Sequence, residues 1–160
     1  MSPSYAAAVV VASNRAAAGV YDDTTGPVIV AWLREHGFDC DEPVVRPDGE
    51  PVGEAIAAAV AAGARVVLTT GGTGLTPTDR TPEVTRALIQ REVPGIAEAI
   101  RAAGVAKGVP TAVLSRGLAG VVGTALVINL PGSRGGVKDA LEVLEPILVH
   151  AAEQVLGSDH

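Results

Sequence analysis

The segment Thr69 to Glu83, TTGGTGLTPTDRTPE, holds the residues best suited to chemistry. Glycines at 71, 72 and 74 follow the apolar run Val66-Val67-Leu68 and precede a helix-like pattern. With no Cβ in the way, the amides of such a strand-to-helix turn point outward and can cradle a phosphate. Asp79 and Arg80 lie a few residues on, within reach of the same spot. The acid suits a magnesium ion and the base a second anionic group. The turn is not a Walker A loop, because no Lys-Ser/Thr follows a glycine at the needed spacing. Nor is it a dinucleotide fingerprint, because Pro77 stands where the third glycine belongs. A tight turn would by itself call for these glycines, and Asp79 would serve equally as a capping acid.

Four further polar clusters fall where apolar runs end: Ser13-Asn14-Arg15, Pro47-Asp48-Gly49-Glu50, Ser115-Arg116, and Pro131 to Gly136 followed by Lys138. Their shared position points to one composite pocket. Taken singly, PDGEP around Asp48 reads first as a turn, and Ser133 as a helix cap. The helix start after Pro131-Gly132 is an anion site by its dipole, where Arg134 and Lys138 add charge or are simply solvated. His36, His150 and His160 show no triad or metal spacing and are assigned no role. No serine elbow, Cys/His pair or HExxH is present. A reaction that needs only positioning, metal and charge neutralisation is therefore favoured, and phosphoryl or nucleotidyl transfer to an ionised phosphate is of that kind.

The elements that must position these clusters alternate in type. Ala6 to Ser13 reads as a strand buried on both faces. A helix is expected from Pro27 to Gly37, with Ile29, Trp32 and Leu33 inward, then a strand over Phe38 to Arg46. Val52, Ala55, Ile56, Ala59 and Val60 form the stripe of a core-facing helix running from Pro51 to Gly63. A strand over Ala64 to Thr70 delivers the glycine turn, and a helix should run from Pro82 to Arg91. Another helix opens at Pro94. Thr111 to Ser115 and Thr124 to Leu130 read as buried strands. The last helix should begin just after Gly136, with Val137, Leu141, Leu144, Leu148, Ala151 and Val155 on one face and a kink at Pro146. The alternation predicts a single α/β domain over residues 1–160, with a mostly parallel sheet covered by helices on both faces. Such sheets bind ligands at the carboxyl ends of strands.

Composition agrees with a globular core: 48% of residues are apolar, but only 2% are aromatic, so Ala, Val, Leu and Ile must build it. A net charge of −6 without a basic block argues against nucleic acid as a general partner. The single cysteine, Cys40, excludes an intrachain disulfide and CxxC metal sites. No apolar run approaches the roughly 18 residues of a membrane span. Tyr5 to Ala12 resembles the apolar part of a signal peptide, but no Lys or Arg precedes Arg15, so it reads as a first strand in a soluble, cytoplasmic protein.

Thr70-Gly71-Gly72-Thr73-Gly74 with Asp79 and Thr81-Pro82 resembles the signature of the molybdenum-cofactor biosynthesis family. The branch it most resembles is the molybdopterin adenylyltransferases, which include the G domain of gephyrin. The match extends to Ser13-Asn14-Arg15, Pro47-Asp48, Leu114-Ser115-Arg116 and Asn129-Leu130-Pro131-Gly132, so it covers nearly the whole chain in order. The resemblance implies a three-layer α/β/α fold, a homotrimer, and magnesium-dependent transfer of AMP from ATP to the terminal phosphate of molybdopterin. The product would pass to a separate molybdate-insertion enzyme. By resemblance, Asp48 and Asp79 are the catalytic, metal-holding pair. Ser13, Thr70, Gly71, Gly72, Thr73, Gly74, Ser115, Pro131, Gly132, Ser133 and Lys138 would contact the substrates. Which of Lys138, Arg134 and Arg116 meets the pyrophosphate stays open. Asn14 departs from the family, where many members carry Asp. A non-catalytic pterin-binding or scaffold trimer is the alternative. A nucleotide pyrophosphatase of the competence-damage type is disfavoured, because GGTGLTPTDR keeps one acid where those proteins resemble GGLGPT-x-DD.

Overall fold

The computed structural model describes residues 4–19 and 23–157; His160 lies outside them. Strand β1 (Tyr5–Ala12) leads through a one-turn helix α1 (Asn14–Ala17) to α2 (Thr25–Glu35). Then come β2 (Phe38–Cys40), β3 (Val44–Arg46), α3 (Glu50–Ala61), β4 (Val66–Thr70), α4 (Thr81–Arg86) and β5 (Arg91–Glu92). The chain ends with α5 (Pro94–Ala106), β6 (Ala119–Val122), β7 (Ala125–Leu130), α6 (Arg134–Leu144) and α7 (Leu148–Val155).

The seven strands form one sheet in the order β2-β1-β4-β7-β6-β5, with β3 also beside β1. β2, β3, β1, β4 and β7 run parallel, while β6 and β5 are antiparallel additions. Alternation along the central strands splits the core in two. Val9, Val11, Leu68, Ile128 and Leu130 face one side, where Ile29 and Leu33 of α2, Ile100 of α5, and Leu141 and Leu144 of α6 cover them. Val10, Ala12, Val67 and Val127 face the other, under Val52 and Ile56 of α3. The chain is thus a three-layer α/β/α fold, as the alternation of elements requires. No described helix is long and apolar enough to cross a membrane.

Several local expectations are corrected. The strand expected over Phe38 to Arg46 is two, broken around Pro43, which lacks the N–H a ladder needs; β2 pairs with the start of β1 and β3 with its end. The helix expected to reach Arg91 stops at Arg86, because Gln90 N–H already donates to Val121 O (2.9 Å) and Arg91–Glu92 join β6. Thr111 to Ser115 is no buried strand but part of a 3₁₀ turn, Pro110–Leu114, with Ala112 packed against Gly104. The neighbouring strand β6 went unread; a two-residue hairpin at Gly123-Thr124 joins it to β7. The last helix begins at Arg134, earlier than expected, because Ser133 Oγ accepts from Gly136 N–H (3.0 Å). Pro146 separates α6 from α7 instead of kinking one helix.

Candidate active site

The parallel register brings the polar clusters to one level. Ala12 pairs with Arg46, Val11 with Thr70, and Thr70 with Leu130, so β1, β3, β4 and β7 all end at the same edge. Ser13 and Asn14, Asp48, the glycine turn and Pro131 to Ser133 follow directly from those ends. Ser13 N–H donates to Arg46 O (3.0 Å), and Asp48 N–H donates to Asn14 Oδ1 (2.9 Å). Asn14 therefore holds the Asp48 turn through its amide oxygen.

The glycine turn is shaped by close approach. Gly71 and Gly72 have φ of +90° and +70°, a region that disfavours any Cβ. A Cβ on Gly71 would strike Ala12 O, and one on Gly72 would strike Asp48 Oδ2 and Thr81 Oγ1. At Gly74 a Cβ would lie 2.8 Å from Asp79 Oδ2. The two acids thus press on the two ends of one turn. Gly132 packs over Gly71, and Thr70 Oγ1 donates to Pro131 O (2.6 Å), joining the glycine turn to the Pro-Gly loop.

Each acid accepts a backbone N–H. Asp48 Oδ1 accepts from Arg80 N–H (2.8 Å), and Asp79 Oδ2 accepts from Thr76 N–H (3.1 Å). The Asp48 carboxylate also takes the backbone N–H of Gly49, whereas Asp79 Oδ1 takes no hydrogen bond among the described residues. Burial holds the Asp48 carboxyl above its ordinary value; the N–H of Arg80 opposes this, and the charge of Asp79 adds to it. The Thr81 hydroxyl is fully buried and unpartnered beside the same turn. No group of three or more His, Cys, Asp or Glu able to hold a metal occurs among the described residues. Two carboxylates nevertheless supply hard oxygen donors that fit magnesium, which is commonly held by one or two carboxylates plus substrate phosphates.

Three cavities ring the Pro131 to Gly136 loop. Ser13, Thr25, Thr70, Gly71 and Gly132 line one of ≈ 170 Å³. Thr73, Gly74, Ser115, Pro131 and Ser133 line a slot of ≈ 330 Å³ whose apolar wall includes Ile100 and Leu114. Thr25, Arg134, Gly135 and Lys138 border a third of ≈ 310 Å³. Asp48 and Asp79 line none of the three. Arg116 is bound within the protein: Nε donates to Gly74 O (2.8 Å), Nη2 to Asp79 O (2.8 Å), and Nη1 meets Glu83 Oε2 (2.6 Å). Arg134 and Lys138 form no ion pair among the described residues.

Sequence reasoning missed Thr25, which borders two of the cavities, and the role of Asn129. Asn129 Oδ1 accepts from Leu118 N–H (3.0 Å), and its Nδ2 donates to Thr69 Oγ1 (2.9 Å) and Thr85 Oγ1 (3.1 Å). It ties β7 to β4, α4 and the segment after Ser115-Arg116. The available signal was a lone polar residue inside the apolar run ALVINL.

A doubly wound sheet whose strand ends carry a glycine turn, a Pro-Gly loop and two acids defines an open α/β domain with its candidate site at the carboxyl edge of the strands. The family described as probable molybdopterin binding domain matches residues 8–150, and the chain belongs to it. It is 40% identical to a molybdenum cofactor biosynthesis bifunctional protein of Synechococcus elongatus, over 96% of this chain and 48% of that protein. The chain thus spans about half the length of that relative. A molybdopterin adenylyltransferase of Helicobacter pylori is 35% identical over 94% of this chain and 87% of its own length. A solved structure described as MogA superposes with a TM-score of 0.91 at 57% identity, over 94% of this chain and 99% of its own.

Proposed function

We propose that this chain is a molybdopterin adenylyltransferase, transferring AMP from ATP to the terminal phosphate of molybdopterin with release of pyrophosphate. The observation that carries this reading is the placement of the Asp48 and Asp79 carboxylates against Gly72 and Gly74, on the two ends of the glycine turn. The adenylyltransferase names of several relatives support it.

A phosphate oxygen of the pterin attacks the α-phosphorus of ATP. A new P–O bond forms as the bond to the leaving pyrophosphate breaks, and the phosphate nucleophile needs no strong base. Gly71 to Gly74 offer backbone amides to the phosphates, and the slot walled by Ile100 and Leu114 suits a flat ring. Asp48 and Asp79 would hold magnesium, which when bound neutralises charge on the triphosphate and on the departing pyrophosphate. Lys138 and Arg134, free of ion pairs, supply cations near the Pro-Gly loop, whereas Arg116 is already bonded to protein acceptors. The resemblance further leads us to propose a homotrimer that hands its product to a molybdate-insertion enzyme, and the charge and apolar pattern of the sequence lead us to propose a cytoplasmic protein with neither nucleic acid nor membrane as partner.

The test is incubation with molybdopterin, ATP and magnesium, followed by mass spectrometry for adenylylated pterin. Product from the wild type but not from Asp48→Ala or Asp79→Ala is expected. Tight pterin binding without product would replace this reading with that of a binding or scaffold protein.

A further inference from the structure

Residues Leu75 to Thr78 are all exposed, and no hydrogen bond joins them to any residue outside 74–80 among the described residues. Their internal bonds, Asp79 N–H to Thr76 O (3.0 Å) and Thr76 N–H to Asp79 Oδ2 (3.1 Å), shape the loop without fixing where it sits. The excursion hangs from its two ends, Gly74 and Asp79. One guanidinium holds both: Arg116 Nε donates to Gly74 O and Nη2 to Asp79 O, each at 2.8 Å. Its Nη1 is anchored on Glu83 of α4 (2.6 Å), and its own backbone N–H donates to Thr73 O (2.8 Å). Arg101 of α5 braces this base, with Nη1 donating to Ser115 O (3.2 Å) and Gly117 O (3.0 Å).

We infer that Arg116 is the positioning residue of Asp79: its fork sets the span from Gly74 to Asp79, and hence the place of the Asp79 carboxylate, without contacting the reacting phosphates. Three acceptors lie in diverging directions around one planar group. A guanidinium meets them together, whereas the point charge of a lysine on a flexible stem does not. The kinetic part of the test rests on the adenylyl-transfer reading; the exchange part does not.

Arg116→Ala and Arg116→Lys are compared with the wild type by three measurements. The first is amide hydrogen exchange without substrate. Exchange at residues 76–80 should quicken by about tenfold or more in Arg116→Ala while β4 and β7 stay protected, as for a local opening. Unchanged exchange at 76–80 overturns the inference, and so does equal acceleration throughout the sheet, which marks a general fold contact. The second is calorimetry with ATP in the absence of metal. Affinity within about threefold of wild type is expected, whereas a loss of about tenfold or more, the scale of a lost charged hydrogen bond, makes Arg116 a phosphate contact and overturns it. The third is steady-state kinetics with magnesium. A fall in kcat of about 10²-fold, the scale of a displaced catalytic group, is expected with KM for ATP nearly unchanged and partial rescue by lysine. A rise in KM alone overturns the inference. Absence of turnover in the wild type itself would sink the adenylyl-transfer reading, leaving hydrogen exchange to decide the role of Arg116.

Discussion

The carboxylate of Asp48 reaches across 32 positions of sequence to accept the backbone N–H of Arg80 at 2.8 Å. Arg80 follows Asp79 directly, so this bond places one acid by the backbone next to the other. The turn after β3 and the excursion after β4 are thereby locked into a single acid pair flanking the glycine turn. Burial disfavours the ionised Asp48 carboxylate, and the charge of Asp79 adds to this.

Replacing Asp48 by Asn is expected to separate stability from activity. The folded carboxyl binds its proton more tightly than the unfolded one, since burial and Asp79 raise its pKa. The ionised form therefore opposes folding at and above the raised value, and the effect vanishes once pH falls below the ordinary carboxylate range. Asp48→Asn keeps an oxygen for Arg80 N–H and removes the charge. Its Tm should exceed that of the wild type near pH 7, with the gain shrinking toward about pH 4. Its adenylyl transfer should fall by about 10²-fold or more, as for loss of one preorganised electrostatic group. A Tm below wild type across the whole range would refute the strained-pair account.

Gly72→Ala should damage both fold and site. Its φ of +70° opposes a side chain, and the added carbon meets the Asp48 carboxylate and the buried Thr81 hydroxyl. A penalty of about 1–2 kcal/mol from the backbone alone is expected, visible in urea unfolding, with loss of activity larger than loss of folded protein. Gly95→Ala, in α5 where a Cβ meets nothing, is the control and should leave activity unchanged and stability equal or raised by up to about 1 kcal/mol.

Asn129→Ala should destabilise more than a surface change. It strands the hydroxyls of Thr69 and Thr85 and the N–H of Leu118, of which Thr69 and Thr85 are fully buried. Each unpaired buried polar group costs about 1–3 kcal/mol where no water can replace the partner, so a drop in urea midpoint of about 1 M at an unchanged m-value is the expected readout. A midpoint equal to wild type would show that this network contributes nothing to the fold.

Cys40 should be inert to thiol reagents at neutral pH. Burial pushes its thiol up to about 11; Arg34 opposes the shift, and Asp41 and Glu42 add to it. Labelling by a disulfide reagent should stay slow in the folded protein and become rapid after denaturation. Fast labelling of the native chain would contradict the buried, protonated thiol.

The glycine turn and the central strands were legible because their signals are local, whereas Asp48 and Asp79 were paired only through the family resemblance. Apolar runs of four to eight residues mark buried strands, and glycines in sequence mark a backbone that must take positive φ. The Pro110–Leu114 turn was misread because a short apolar run such as TAVL does not fix its own conformation, and β5 (Arg91–Glu92) and β6 escaped notice because such short strands are set by their pairing partners. α4 stops at Arg86, short of Gln90, whose N–H is taken by the Val121 carbonyl of β6.

By itself the sequence determined the class of the fold and the level at which the polar clusters emerge. Those follow from periodicity and residue type, which act over a few neighbours. The tertiary structure decided the employment of the remaining polar groups: Arg116 closing the 74–79 loop, Asn14 holding the Asp48 turn, Asn129 joining two strands and a helix. A long polar side chain reaches several ångströms in any direction, so its partner is set by what folding brings near it and not by its place in the chain.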